Sequence, residues 1–134
     1  MEKLAIHTTQ RCQLLDITDD VRELVASCSG WHSGALVLFS PHTTCGLTIN
    51  EGADPDVQRD MTAYFNKLVP QDSSFCHAEG NSDAHIKTAL FGAALTLLIE
   101  DGELCLGRWQ SIYVCENDGP RTRMVWAQFL PSGG

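Results

Sequence analysis

The segment Leu95–Leu130, LTLLIEDGELCLGRWQSIYVCENDGPRTRMVWAQFL, decides the fold class. Short apolar runs in it are separated by turn signals at Asp101–Gly102 and at Asn117–Pro120. Asp-Gly is typical of two-residue β-hairpin loops, because both positions must adopt positive φ. Strands joined in this way run antiparallel, so the C-terminal third is predicted to be a β-meander with strands at 95–99, 104–106, 109–116 and 121–130.

Upstream of this meander, strands and helices interleave. The apolar runs predict two strands, or one long bent strand, within residues 2–17, and further strands at 35–40 and 45–51. Helical spacing of apolar residues predicts one helix after Thr18, one from Asp54 to Leu68 and one from Ala84 to about Ala93. Thr18, Asp54 and either Ser82 or Asp83 are the expected N-caps. In the third helix the residues expected to face the core are Ile86, Ala89, Leu90 and Ala93.

This order of elements predicts one compact α+β domain over residues 1–134, with about three helices and mixed or largely antiparallel β-sheets. Hydrophobic residues make up 43% of the chain, which is enough for a core. The net charge of −8 argues against nucleic acid as a partner, although a local basic site for a small phosphorylated ligand remains compatible with it. We find neither a transmembrane run of apolar residues nor a signal-peptide pattern, so a cytoplasmic protein without membrane contact is expected.

The six cysteines are expected to be reduced core residues. None of them has C-x-x-C spacing, which disfavours a structural zinc site or a thioredoxin-type redox site. Cys45 follows His42 by three residues and so invites a nucleophile interpretation. However, Cys45 alternates in phase with Leu47 and Ile49, which favours a buried thiol.

Three histidines lie where a metal could be bound. His42 follows a proline that interrupts a strand, His77 precedes a Gly-Asn loop, and His85 lies in the first turn of the third helix. Three imidazoles with one open coordination position suit zinc or nickel. We therefore hypothesise that His42, His77 and His85 meet at one divalent metal.

Several polar residues near these histidines are candidates for catalysis or for substrate binding. Glu51 and Glu79 could act as ligands, support ligands or accept a proton, and Glu116 is a further candidate for proton transfer. Gln110 and Glu116 share one face of a strand but lie six residues apart, roughly 20 Å, so they cannot reach one metal within one subunit. The candidates for substrate binding are Asn50, Asn81, Lys87, Gln110, Arg121 and Arg123.

Arg121 and Arg123 point to the same side of the last predicted strand. Two guanidinium groups in this arrangement could bind a phosphate. They could equally pair with Glu116 or with surface acids, and the sequence leaves both alternatives open.

Three motifs together resemble the YjbQ-type family, which is also called the secondary thiamine-phosphate synthase family. They are SPHTTCGLTINE, the HAEGN–AHIK stretch and GRWQSIYVCENDGPR, and the resemblance extends over nearly the whole chain. It implies a small α+β domain that assembles as a homotrimer. It also implies a metal-associated site, which by motif position would include His42, His77 and His85.

The resemblance implies a reaction that joins a hydroxymethylpyrimidine diphosphate to a thiazole phosphate, giving thiamine phosphate and pyrophosphate. Magnesium would suit such a diphosphate, whereas the histidines suit zinc or nickel, and this conflict favours a different metal-assisted hydrolysis or transfer. The expected partner is thus a phosphorylated small molecule. The alternatives are a non-catalytic trimer that binds a metal or metabolite, and a cysteine hydrolase that requires an exposed Cys45 beside an imidazole.

Overall fold

The structure is a computed structural model that describes residues 1–133, with eight strands and three helices. The strands are β1 (Glu2–His7), β2 (Gln13–Asp16), β3 (Gly34–Phe39), β4 (Cys45–Glu51), β5 (Ala94–Glu100), β6 (Glu103–Cys105), β7 (Gln110–Glu116) and β8 (Thr122–Pro131). The helices are α1 (Thr18–Ser27), α2 (Pro55–Leu68) and α3 (Ser82–Phe91). The α+β class and the three helices are confirmed.

Two antiparallel sheets form the body of the molecule. A five-stranded sheet has the order β1-β8-β3-β5-β6, and a three-stranded sheet has the order β2-β7-β4. Every strand pair is antiparallel. Leu36 and Val125 of the first sheet share one hydrophobic core with Leu47 and Ile112 of the second. Within residues 1–133, no helix is long and apolar enough to cross a membrane.

The hairpin predicted at Asp101–Gly102 is confirmed. Glu100 pairs with Glu103 across the two-residue loop, and φ is 52° at Asp101 and 77° at Gly102. Both residues therefore adopt the left-handed conformation that this turn requires.

The predicted N-cap residue is confirmed for one helix and is wrong for the other two. The Asp54 side chain accepts a hydrogen bond of 2.9 Å from the Asp56 N–H, so its predicted capping role is confirmed. Thr18 is already helical, and its backbone N–H and hydroxyl both donate to Asp16. For α3 the N-cap is Asn81, because Asp83 turns inward to an ion pair.

Helix α3 buries the face opposite to the one that the sequence predicts. Its buried residues are Asp83, Ala84, Lys87 and Thr88. Ile86 is 40% exposed and Leu90 55% exposed, although both were expected to face the core. The polar face turns inward because Asp83 and Lys87 find partners there, and the apolar face is left uncovered in the single chain.

Candidate functional site

The end of β7 carries a buried ion pair. Both carboxylate oxygens of Glu116 accept hydrogen bonds from the Arg123 guanidinium on β8. Further donors to this carboxylate are the Thr8 hydroxyl at 2.7 Å and the backbone N–H groups of Asn117 and Asp118 at 3.0 and 3.1 Å. Burial alone would raise the pKa of Glu116, but the bonds from Arg123 and Thr8 outweigh it and lower the pKa.

This arrangement corrects two sequence-based assignments. A carboxylate surrounded by four donor groups and held in its charged form is a poor proton acceptor, so the geometry does not support catalysis by Glu116. Arg123 is 2% exposed and also donates to Thr44. Its guanidinium therefore pairs with Glu116, one of the two alternatives that the sequence left open, and is not free to bind a phosphate.

His42 lies against the same ion pair as a neutral imidazole. Its Nε2 accepts a hydrogen bond of 2.9 Å from the backbone N–H of Met124. Burial and the nearby positive charge of Arg123 lower the pKa of His42. Since Nε2 accepts, the neutral ring carries its proton on Nδ1, which becomes a hydrogen-bond donor. In this arrangement His42 is a poor metal ligand.

His77 and His85 do come together. Their rings are 5.5 Å apart at an interplanar angle of 86° and line an open pocket of about 480 Å³ with Phe75, Cys76, Ser82 and Ile86. His77 Nε2 lies 3.7 Å from a carboxylate oxygen of Glu79. However, the residues from 1 to 133 contain no group of three His, Cys, Asp or Glu placed to hold a metal. A protein zinc site takes at least three ligands, so one chain alone does not provide the expected donor set.

Asn81 and Arg121 meet at Asp118. The Asn81 amide nitrogen donates to Asp118 at 2.8 Å, and the Arg121 guanidinium donates to the same oxygen at 3.1 Å. Because the amide nitrogen must face the carboxylate, the Asn81 Oδ1 points away from it. This oxygen is buried and has no hydrogen-bond partner within the described chain, which is unusual for a buried polar atom.

A polar cleft lies beside the first turns of α3, and we call it the α3 cleft. Its volume is about 420 Å³, and it is lined by Gln10, Arg11, Cys12, Asn66, Pro70, Gln71, Asp83 and Lys87. Arg11 donates two hydrogen bonds of 3.0 Å to the Asp83 carboxylate. The Lys87 ammonium donates to Asn66 at 2.7 Å and lies 3.5 Å from Asp83.

The α3 cleft carries an excess of positive charge. Burial opposes ionisation of Asp83, but its bonds from Arg11 outweigh burial and lower its pKa. The hydrogen bond to Asp83 in turn raises the pKa of Arg11. Two cations therefore share one carboxylate, which leaves a local charge of about +1 in a chain whose net charge is −8. Such a cleft attracts anions.

The remaining candidates lie at the opposite end of the three-stranded sheet. Glu51 pairs with Gln110 at that end, whereas Cys45 pairs with Glu116 at the other. Six residues separate the two ends, roughly 20 Å at the rise of a strand. Locally, the Glu51 carboxylate accepts from Ala53 N–H, and the Asn50 side chain accepts from Glu51 N–H. Within one chain, Asn50, Glu51 and Gln110 do not join the α3 cleft.

Cys45 is a core thiol, as its alternation predicted. It is 2% exposed, and burial raises its pKa to about 12. The hydrolase hypothesis required an exposed Cys45, so the structure contradicts it. The six cysteines are all unpaired, as expected, but only Cys45 and Cys115 are core residues: Cys12 and Cys28 are half-buried, and Cys76 and Cys105 are exposed.

Sequence reasoning missed Arg11 and Asp83. Arg11 lies in a polar stretch between two strands, where a solvated loop was the simpler interpretation. An Asp and a Lys four residues apart, like Asp83 and Lys87, usually mark the solvent face of a helix. The useful signal was that this pair shares one face of α3 with Ala84 and Thr88.

This chain is similar to known proteins over almost its full length. The model of the family described as UPF0047 protein YjbQ-like matches residues 2–132. UPF0047 protein YugU of Bacillus subtilis (strain 168) is 44% identical over 131 residues, which cover 97% of this chain and 98% of the relative. A UPF0047 protein of Methanocaldococcus jannaschii is 43% identical over 128 residues, covering 96% and 92% of the two chains.

Solved structures share the fold. The crystal structure of an uncharacterised conserved YjbQ/UPF0047 protein from Clostridium acetobutylicum has a TM-score of 0.91 and 45% identity, and it covers 97% of this chain and 100% of that chain. A YbjQ-like protein of unknown function from Sulfolobus solfataricus P2 has a TM-score of 0.90 at 28% identity, covering 98% and 96%. The fold is thus retained in a relative with fewer than a third of its residues identical.

Proposed function

This chain belongs to the UPF0047 YjbQ-like family, and from that premise we propose that it is a small-molecule enzyme that binds a phosphorylated substrate in the α3 cleft. One observation carries the proposal: Arg11 and Lys87 border the cleft with a single carboxylate, Asp83, between them. Phosphate oxygens are strong acceptors for guanidinium and ammonium donors.

The reaction that we propose is the one implied by the sequence resemblance, the formation of thiamine phosphate. The thiazole nitrogen uses its lone pair to form a bond to the methylene carbon of the pyrimidine. The carbon–oxygen bond to the diphosphate breaks, and its electrons leave with pyrophosphate. No proton is transferred in this step, so it does not depend on Glu116 or Glu51 as a base.

The residues of the cleft have distinct tasks in this proposal. Arg11, whose side chain is 33% exposed, binds the diphosphate. Lys87, whose side chain is 3% exposed, adds positive charge behind it, and both stabilise the charge that develops as the diphosphate leaves. Arg121, whose side chain is 52% exposed, is a further cation near the start of α3, where it and Asn81 donate to the same oxygen of Asp118. Magnesium, if bound with the diphosphate, would neutralise part of its charge.

Turnover of the two substrates tests this proposal. We would incubate the protein with hydroxymethylpyrimidine diphosphate and thiazole phosphate and measure pyrophosphate release, with and without magnesium. We expect release that needs both substrates and falls at least about tenfold in Arg11→Gln, since a charged hydrogen bond contributes about 1.5–3 kcal/mol. Release equal to the uncatalysed background would refute the reaction.

A second candidate function is a trimer that binds a metal or a metabolite without catalysis, and the pairing of His77 with His85 favours it. Their pocket includes Ile86, which belongs to the uncovered apolar face of α3. A second subunit packed on that face would lie next to the two imidazoles and could complete a zinc or nickel site. His42 would then serve as a hydrogen-bond donor and not as the third ligand.

Metal analysis of the purified protein tests this candidate. After incubation with zinc or nickel and removal of excess, the candidate expects metal that is lost in His77→Ala and in His85→Ala. His32→Ala is the matched control, because His32 is exposed and lies beside Asp101. Equal metal content in all four proteins would eliminate a site at the pair.

We place the protein in the cytoplasm, a proposal that its unpaired thiols support.

A further inference from the structure

We propose that Cys12 is a modification site, the thiol of this chain that reacts first with peroxides, and that its oxidised form is held by Lys87 and Arg11. Cys12 lies in the loop between β1 and β2 and lines the α3 cleft. It is half-buried and also lines a neighbouring cleft of about 480 Å³ that extends along α2.

The sulfur of Cys12 has two cationic neighbours. The Lys87 ammonium lies 3.8 Å from Sγ, and an Arg11 guanidinium nitrogen lies 3.7 Å from it. Sγ also lies 3.9 Å from the backbone carbonyl of Asn117, which accepts a hydrogen bond from the thiol. The carboxylate nearest to these cations is Asp83, and it offsets only one of the two charges. Positive charge beside a cysteine stabilises negative charge on sulfur or on its oxidation products.

The other five cysteines lack this environment. Cys45 and Cys115 are buried, and burial raises the pKa of both thiols. Within residues 1–133, the hydrogen-bond partner of the Cys28 sulfur is a serine hydroxyl and that of the Cys105 sulfur is a backbone carbonyl. Cys76 is exposed beside His77 but has no Lys or Arg nitrogen within hydrogen-bonding distance in the described chain. Accessibility and positive charge therefore coincide at Cys12 alone among the six.

The proposed step is a two-electron oxidation by hydrogen peroxide. The Cys12 sulfur attacks one peroxide oxygen, a sulfur–oxygen bond forms and the oxygen–oxygen bond breaks. The leaving hydroxide takes the thiol proton and becomes water, while the sulfur becomes a sulfenic acid. The new oxygen lies within reach of the Lys87 ammonium and the Arg11 guanidinium, which donate to it.

The sulfenic acid uses the N–H donors of Lys87 and Arg11, which are the same donors that would bind an anion in the α3 cleft. Oxidation is therefore expected to lower the affinity of the cleft for pyrophosphate, a consequence that rests on the proposed function. The selective reaction of Cys12 does not rest on it, because the selectivity depends only on the thiol and its two cationic neighbours. The two parts can thus fail separately.

The test is a peroxide time course on the intact protein, with dimedone to trap sulfenic acid and peptide mass spectrometry to locate it. We expect the Cys12 peptide to be labelled about tenfold faster than the peptides of Cys76 and Cys105. Cys12→Ser should abolish the fast phase, whereas Cys105→Ser, the exposed-cysteine control, should leave it unchanged. Equal or faster labelling at Cys76 or Cys105 would overturn the proposal.

A second measurement separates charge from mere exposure. Iodoacetate is anionic and iodoacetamide is neutral, so the ratio of their rates reports the local charge. This ratio should be higher at Cys12 than at Cys105, and it should fall in Arg11→Gln. An equal ratio at the two cysteines would contradict a role for the cations. If pyrophosphate fails to bind even the reduced protein while Cys12 still reacts first, the proposed function fails and the modification site stands.

Discussion

Arg11 and Asp83 face each other through two parallel hydrogen bonds of 3.0 Å, although 72 residues separate them in the chain. This bidentate pair joins the β1–β2 loop to the first turn of α3. It brings Lys87, one turn further along the helix, beside Cys12 and Asn66. The α3 cleft exists because this pair holds the two segments together.

The first prediction concerns the buried pair Glu116–Arg123. Arg123→Met leaves an unpaired carboxylate inside the protein, so the free energy of unfolding should fall by about 3–5 kcal/mol. Urea denaturation measures it. The control is Arg59→Met, whose partner Asp56 is on the surface, and a change within about 1 kcal/mol is expected there. Similar losses in the two variants would contradict the structural role of Arg123.

The second prediction concerns the protonation of His42. Its pKa is lowered by burial and by Arg123, so a proton NMR titration should give a value below the usual 6.5. Nitrogen shifts at neutral pH should show the proton on Nδ1. Because the unfolded chain binds this proton more readily, the contribution of His42 to stability should decline as the pH falls below about 6.5. A pKa above 6.5 or a proton on Nε2 would refute this assignment.

The third prediction concerns acid stability through Asp83. Its pKa is lowered in the folded state, so its stabilising contribution is present above the unfolded value of about 3.9 and disappears as the pH falls through the folded value. Asp83→Asn should therefore be less stable than wild type at pH 7, and the difference should shrink towards pH 2. Thermal unfolding across this range measures it. A constant difference at every pH would show that ionisation of Asp83 is not the cause.

The fourth prediction concerns the uncovered face of α3. If a homotrimer buries this face, Leu90→Glu should shift the mass in solution, measured by light scattering, towards a single chain. Ala26→Glu on the exposed face of α1 is the control and should leave the mass unchanged. An unaltered trimer in Leu90→Glu would place the interface elsewhere, and a monomeric wild type would remove the trimer from the account.

Local signals in the sequence were sufficient for most elements. The Asp101–Gly102 turn, the Asp54–Pro55 helix start and the strand CGLTINE at 45–51 were predicted with little error. Each depends on interactions between residues close in the chain, such as a cap or a two-residue turn. These are the interactions that residue type and spacing describe well.

Long-range pairing explains what was missed. Helix α3 was predicted with the wrong face inward, because hydrophobic spacing favours Ile86 and Leu90 whereas the Arg11–Asp83 pair decides the outcome. For the same reason, the residues that were predicted to form one site lie in two separate places. Asn81, Lys87 and Arg121 do lie around the start of α3, but Glu51 and Gln110 lie at the far end of a sheet, and no local pattern reveals that separation.

Calorimetric titration with pyrophosphate tests the anion site in the α3 cleft most directly. We expect the wild-type protein to bind pyrophosphate and Arg11→Gln to weaken binding about 10- to 100-fold, the effect of losing one charged hydrogen bond of about 1.5–3 kcal/mol. Arg11→Lys, which keeps the charge, should retain part of the affinity, and the control Lys67→Gln on exposed α2 should match wild type. If the wild type does not bind, or if Arg11→Gln binds as tightly as the wild type does, the α3 cleft is not the anion site.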